Sequence, residues 1–280
     1  MINGELIDLV AGDYEARIAT SGATLVHLRR AGSDLVIPFD AEVSLPEGWQ
    51  GKTLVPWPNR IVGARYAYRG QEYPVPCNEP ETGSALHGLV GWADFQVVAT
   101  SAGDDAVGDA PSSVALELTL PGSYAYPWSL QVDVRFALDA RAGLTVAADA
   151  VGAPESDGLL APAPYGVSFH PYLTRSVPLD ECVLQVPAAR VLDVDERMAP
   201  AAERDVAGTD WDWRAGRPVG AVSTDNAYTG LPQGPWEVRL TGGEAGSTVV
   251  LSAEAPWVQV YTAEHLGRRG VAVEPMTCPP

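Results

Sequence analysis

The chain has 280 residues, a hydrophobic content of 46% and a net charge of −18. That hydrophobic share can bury a core and sets disorder aside. The acidity repels nucleic-acid phosphates, and no basic patch offsets it, because Lys52 is the only lysine and the arginines are scattered.

The opening MINGELIDLVAGDYEARI has neither a basic n-region nor a long apolar stretch. No apolar run approaches a membrane span. A soluble, cytoplasmic protein is expected, with neither membrane nor nucleic acid among its partners. Cys77, Cys182 and Cys278 are far apart with no CxxC pair, which speaks against a disulfide framework or a zinc cluster.

His27, in ATLVHLRRAG, reads as an ordinary surface or strand residue. The stretch LVPWPNRIVG, residues 54–63, sets Pro56 and Pro58 either side of Trp57 and ends in Asn59 and Arg60. Prolines fix φ and remove donors, so this is a rigid turn rather than an interior strand. In ALHGLVGW, His87 is followed by Gly88, where the backbone can approach a neighbour closely.

Residues 101–113, SAGDDAVGDAPSS, read as a surface hairpin loop. Alternation then dominates. In SLQVDVRFAL (129–138), Leu130, Val132, Val134, Phe136 and Leu138 share one face, and VALELTL (114–120) and LTVAADA (144–150) behave similarly. His170, in YGVSFHPYL, stands at a strand end because Pro171 interrupts the ladder. Spacing alone leaves open whether it faces a pocket or bonds a carbonyl within the core.

The segment 201–218 reads as a longer irregular excursion. Asp225, in STDNAYTG, fits an Asx-type turn as well as a ligand. WEVRL (236–240) and TVVLSAE (248–254) alternate again, and His265, in TAEHLGRRG, reads like His27. Glu274, in GVAVEPMTCPP, ends an apolar strand before a proline that keeps it extended. Unless paired, such a carboxylate loses hydration and its pKa rises; the alternative is a strand-end glutamate reaching water.

These elements make an all-β, mostly antiparallel protein, a large sandwich or closed barrel, with residues 1–280 as one domain. There is no fixed-period repeat. Neither HxH nor HExxH occurs, and GxSxG, GxGxxG and the P-loop pattern are also missing. Histidine, carboxylate and arginine remain as an acid–base kit, and the eight tryptophans could stack on the apolar faces of a sugar.

The ordered motifs GKTLVPWPNRIVGARY, NEPETGSALHGLVGW, GVSFHPYL, TDNAYTG, PWVQVYT and GVAVEPMTCPP together resemble the aldose 1-epimerases (mutarotases), from about residue 1 to the last residue. The resemblance implies a galactose-mutarotase-like β supersandwich. It implies interconversion of the α and β anomers of a free aldohexose, such as glucose or galactose, without cofactor or metal. By motif, Glu274 looks like the general base and His170 the general acid. Asn59, Arg60, His87, Asp225 and Gln259 look like sugar ligands, with Tyr172 beside them. Activity is then expected to fall on the acid side as Glu274 takes up a proton.

Members of the family usually continue through a loop and a final strand, whereas this chain stops at Pro280, so an exposed sheet edge is expected. The expected partner is a monosaccharide, and the protein itself a monomer or homodimer. Three other readings compete: a sugar-binding protein without catalysis, a glycoside hydrolase using Asp225 and Glu274, and a hexose-6-phosphate mutarotase, which would need a basic cluster the motifs do not display.

Overall fold

The computed structural model describes residues 2–102, 111–152, 162–243 and 246–280, and among them every strand pairing is antiparallel and no α-helix occurs. The alternating segments form the core sheets. Leu130–Asp139 pairs with Ser113–Leu120 on one side and Gly143–Gly152 on the other, and Leu130, Val132, Val134, Phe136 and Leu138 are all buried. Burying each such side chain stabilises the fold by about 1.5–3 kcal/mol, which is why one face is apolar throughout.

The sheets stack as a sandwich rather than closing into a barrel. The sheet that matters for the site has eight strands, including Arg190–Val194, Asp225–Thr229, Trp257–Tyr261 and Gly270–Met276 in consecutive positions. Gly143–Gly152 and Thr248–Ala253 are the end strands of their own four-stranded sheets, and both border an apolar cavity of about 640 Å³.

Two loop readings need adjustment. Of the excursion at 201–218, the first five residues lie in the strand Pro200–Asp205, which pairs with Arg190–Val194 at the rim of the large sheet. All six residues of that strand are exposed, so it has no apolar face for a pattern to reveal. The hairpin at 101–113 shows its two ends paired, Ser101 with Ser113, while 103–110 lie outside the described residues. No helix among the described residues is long and apolar enough to cross a membrane.

Candidate active site

One wall of the site is a sheet face. The register sets Gln259 directly opposite Glu274, and Asp225 diagonal to Gln259. Side chains alternate across a strand. Val258, Val260, Val271 and Val273 therefore enter the core, while Gln259, Tyr261 and Glu274 face the cavity.

The other edge of Gly270–Met276 is paired by two short strands in tandem, Ser168–Phe169 and Tyr172–Thr174. His170 falls in the break between them, in register with Glu274. Its backbone is instead held from the far side: His170 N–H donates to Lys52 O, and Gly51 N–H to His170 O. Pro171, which has no donor of its own, produces the break and accepts from Val273 N–H at 3.1 Å.

The facing wall comes from the proline-rich turn. Arg60–Ile61 pairs with Ala85–Leu86, which brings Asn59 beside His87. His87 N–H donates to Asn59 O at 2.8 Å, and Asn59 N–H donates back to His87 Nδ1 at 3.2 Å. Both residues have left-handed backbone, φ 51° and 61°. Gly88 meets the expectation of close approach, since a Cβ there would lie 2.1 Å from Val55 O.

The eight residues singled out by motif all line one cavity of about 190 Å³. His170 Nε2 lies 3.3 Å from Glu274 Oε1, and both side chains are at most 5% exposed. His170 Nδ1, Glu274 Oε2 and Gln259 Oε1 have no hydrogen-bond partner, although buried polar atoms nearly always have one. Asp225 is better served, accepting from Gln259 Nε2 at 2.6 Å.

Burial dominates the protonation states. It lowers His170 well below the usual imidazole value, with the nearby His265 adding to the effect. It raises Glu274 well above the usual carboxylate value, helped by the charge of Asp225 and opposed by Arg60. Burial thus favours a neutral imidazole on His170 and a protonated carboxyl on Glu274. A carboxylate with an imidazolium has the same proton count as that pair, whose nearest atoms are 3.3 Å apart.

His87 is also held neutral, by burial first and then by His170 and Arg60. Because its Nδ1 accepts from Asn59, its Nε2 must carry the proton and can only donate. That bears on metals. His87, His170 and Glu274 bring ligand atoms within 4.8 Å of one another, the spacing of a three-ligand site. As folded, however, His87 has no free lone pair to offer, so the cluster supplies two ligands rather than three.

The sequence matches the aldose 1-epimerase family over residues 5–280. The chain belongs to that family. It is 40% identical over 279 residues to the uncharacterized protein YihR of Escherichia coli K12, covering 99% of this chain and 85% of that one. The fold is similar to that of the GalM/aldose epimerase homologue from C. elegans, with a TM-score of 0.81 at 22% identity over 97% of this chain and 89% of the other. It is similar too to the galactose 1-epimerase from Lactobacillus acidophilus, with a TM-score of 0.75 at 19% identity over 96% and 84%.

Around this cavity, further residues escape the motif reading. Glu79 takes Arg60 Nε and Nη2 at 2.7 and 2.8 Å, so the guanidinium reaches the cavity already paired. Burial alone would raise the Glu79 pKa, but Arg60 and Thr82 together hold it below the ordinary value. Trp49 lines the cavity with φ 62°, its ring 5.1 Å from that of His87. His265 is not the ordinary surface residue expected: it lines the mouth and is hydrogen-bonded to Tyr261 through Nδ1 at 2.9 Å. Gly48 fits against it only for lack of a side chain, since a Cβ would lie 2.1 Å from His265 Nε2. Tyr172 donates its hydroxyl to Gly48 O at 2.7 Å, so it offers the cavity its ring, stacked on His170 at 4.9 Å. The left-handed backbone at Trp49 and the distant origin of His265 leave no mark in a linear pattern, and although Glu79 stands in the quoted NEPETG stretch, nothing there marks it as the partner of Arg60.

Proposed function

We propose that this chain is a mutarotase, an isomerase that interconverts the α and β anomers of a free aldohexose by general acid–base catalysis. The observation that carries the reading is the His170–Glu274 pair, 3.3 Å apart, with unpartnered atoms beside a cavity sized for one sugar ring.

The chemistry asks for what such a pair supplies. Glu274 as carboxylate takes the proton of the C1 hydroxyl, while His170 as imidazolium gives its proton to the ring oxygen. The C1–O5 bond breaks and the C1–O1 bond becomes the aldehyde carbonyl. The dyad keeps its single proton throughout, now on Glu274. Rotation about C1–C2 presents the other carbonyl face, and on reclosure the O5 hydroxyl gives its proton to His170 while Glu274 gives its own to O1. Two positioned acid–base groups of this kind each contribute about 10²–10⁴-fold. Asn59, Arg60, His87, Asp225 and Gln259 would hold the remaining hydroxyls and fix the ring against the dyad.

The free-sugar reading is supported by Arg60, the cavity's arginine, whose charge is matched by Glu79. The hydrolase reading needs carboxylates flanking a glycosidic bond. Asp225 and Glu274 instead lie on one sheet face, separated by the strand of Gln259.

Polarimetry on freshly dissolved α-glucose and α-galactose tests the proposal, with glucose 6-phosphate and aryl glycosides as further arms. Wild type should speed the optical drift of a free hexose, and His170→Asn and Glu274→Gln should not. A wild type inert towards every aldose would remove the enzymatic reading. Preference for the phosphate, or release of aryl alcohol, would replace the substrate class.

A further inference from the structure

Arg60 lines the cavity with a guanidinium that is already partly engaged. Glu79 accepts from Nε and Nη2, and Asn59 Oδ1 accepts from Nη1 at 3.3 Å. A guanidinium has five N–H donors, so among the described residues two stay free, one on Nη1 and one on Nη2. The plane of the carboxylate gripping the opposite edge sets where those two point. Whatever fixes Glu79 therefore bears on what the cavity can hold in place.

Glu79 is held from several directions. Its Oε2 also accepts from the Thr82 hydroxyl, which stops the carboxylate from swivelling. Its backbone closes a turn: Gly83 N–H and Ser84 N–H both donate to Glu79 O, at 3.0 and 3.2 Å, and Glu79 N–H donates to Ser84 O at 3.2 Å. The residue before it ties this turn to the strand beside Arg60. Asn78 Oδ1 accepts from Leu86 N–H at 2.6 Å and Asn78 Nδ2 donates to Leu86 O at 2.9 Å, while Leu86 itself pairs with Arg60.

The last hold comes from far along the chain. Arg197 stands in the turn 195–199, between the strands Arg190–Val194 and Pro200–Asp205. Asp195 Oδ1 stiffens that turn by accepting from Arg197 N–H and Ala199 N–H, at 2.8 and 2.9 Å. From there Arg197 donates Nε and Nη2 to Thr82 O, at 3.1 and 2.9 Å. Gly83 leaves room for the contact, since a Cβ there would lie 2.7 Å from Arg197 Nη2. The turn belongs to the eight-stranded sheet that also carries Asp225, Gln259 and Glu274. Glu79, Thr82 and Arg197 do not line the cavity, so they act on it only through Arg60. Exposed ion pairs fix little, but the Arg60–Glu79 pair is 12% and 18% exposed and forked, so it transmits position.

We propose that Glu79 and Arg197 are positioning residues of this site: Arg197 anchors the turn 79–84 to the large sheet, and Glu79, so anchored, aims the two free N–H bonds of Arg60 at the hydroxyls of the bound sugar. The two walls of the cavity, one bearing Arg60 and the other Glu274, are thereby kept in register by a contact outside it. The proposal rests on the mutarotase reading for its effect on rate.

The test is polarimetry on α-glucose and α-galactose with wild type, Glu79→Gln and Arg197→Ala, and with each change repeated in an Arg60→Ala background. Glu79→Gln replaces one acceptor oxygen by an NH₂ group and opens the fork, so kcat/KM should fall roughly tenfold. Arg197→Ala alters an exposed turn and should lower kcat/KM roughly threefold with a nearly unchanged Tm. In the Arg60→Ala background neither change should cost anything further, because no guanidinium is left to aim. A purely structural role would instead give losses that multiply in the double variants; that outcome, or full activity in either single variant, would overturn the proposal. If wild type accelerates neither sugar, the mutarotase reading fails by itself. Nitrogen-15 NMR of the Arg60 Nε–H, assigned by its loss in Arg60→Ala, then decides the positioning. Slow exchange in wild type and fast exchange in Arg197→Ala supports it, and equal exchange in both rejects it.

Discussion

Two halves of the same cavity treat their polar groups in opposite ways. On one side Arg60 is held by Glu79 and Asp225 by Gln259, so each charge arrives with a partner. On the other side His170 and Glu274 sit deeper, 3.3 Å apart, with an unpartnered atom apiece. Gln259 and Glu274 are direct neighbours across two strands, so the difference comes from side-chain pairing and not from the sheet. Paired groups hold a fixed shape for binding. Unpaired ones retain the capacity to exchange protons with whatever enters.

If that contrast is right, the largest effect belongs to the unpaired side. Glu274→Gln and His170→Asn should each lower kcat by about 10²–10⁴-fold with an unchanged circular dichroism spectrum. Retained turnover in either would abolish the distinction. Arg60→Ala should cost about 10–100-fold in kcat/KM by loss of positioning. It should also destabilise the protein by about 1–3 kcal/mol, because Glu79 is left part-buried and unpaired. Arg60→Ala with full activity would reduce the paired wall to a structural ion pair.

The pH profile sharpens the comparison further. Adding a second proton to the dyad is held well below pH 6.5 by burial of His170. Removing its only proton is pushed well above pH 4.5 by burial of Glu274. If the single-proton form is the active one, the acid limb of the profile belongs to the second proton, not to ionisation of Glu274 as an isolated carboxyl. A loss of kcat/KM as pH falls through 6.5 would show His170 titrating as an ordinary imidazole and would sink this assignment.

A smaller effect concerns stability. Burial lowers the Lys52 pKa from 10.5 to about 8, so the folded state sheds this proton more easily than the unfolded chain. Its penalty is fully present below pH 8 and is relieved as pH rises towards 10.5. Over that interval Lys52→Met should remove part of the pH dependence of unfolding, at most about 3 kcal/mol. Smallest of all, Tyr172→Phe frees the turn at Gly48 and should raise KM by about threefold while leaving kcat nearly unchanged, which a KM-against-kcat comparison would detect.

Much of the fold was legible because its buried strands alternate, as Leu130 to Leu138 do, and alternation is what a half-buried strand requires. Pro200–Asp205 was not, since every residue in it is exposed. The eight motif residues converge on one cavity, yet the family pattern carried most of them; spacing alone left His170, Asp225 and Glu274 ambiguous. Glu79, Trp49 and His265 depend on contacts that only the folded backbone creates. Protonation was the least legible property. Glu274 could be expected to lose hydration, but that His170 loses it too follows from how deeply the break in the ladder places them.

That break sits along Gly270–Met276, a strand paired on both edges and buried at six of its seven positions. Amides in such a strand exchange with solvent only through global opening. Those of 271–274 should thus be among the slowest to exchange in the chain. Glu274 is borne by this most persistent segment and cannot be lost to local fraying. On heating, activity should therefore disappear together with the sheet itself, in one step and without an inactive folded intermediate.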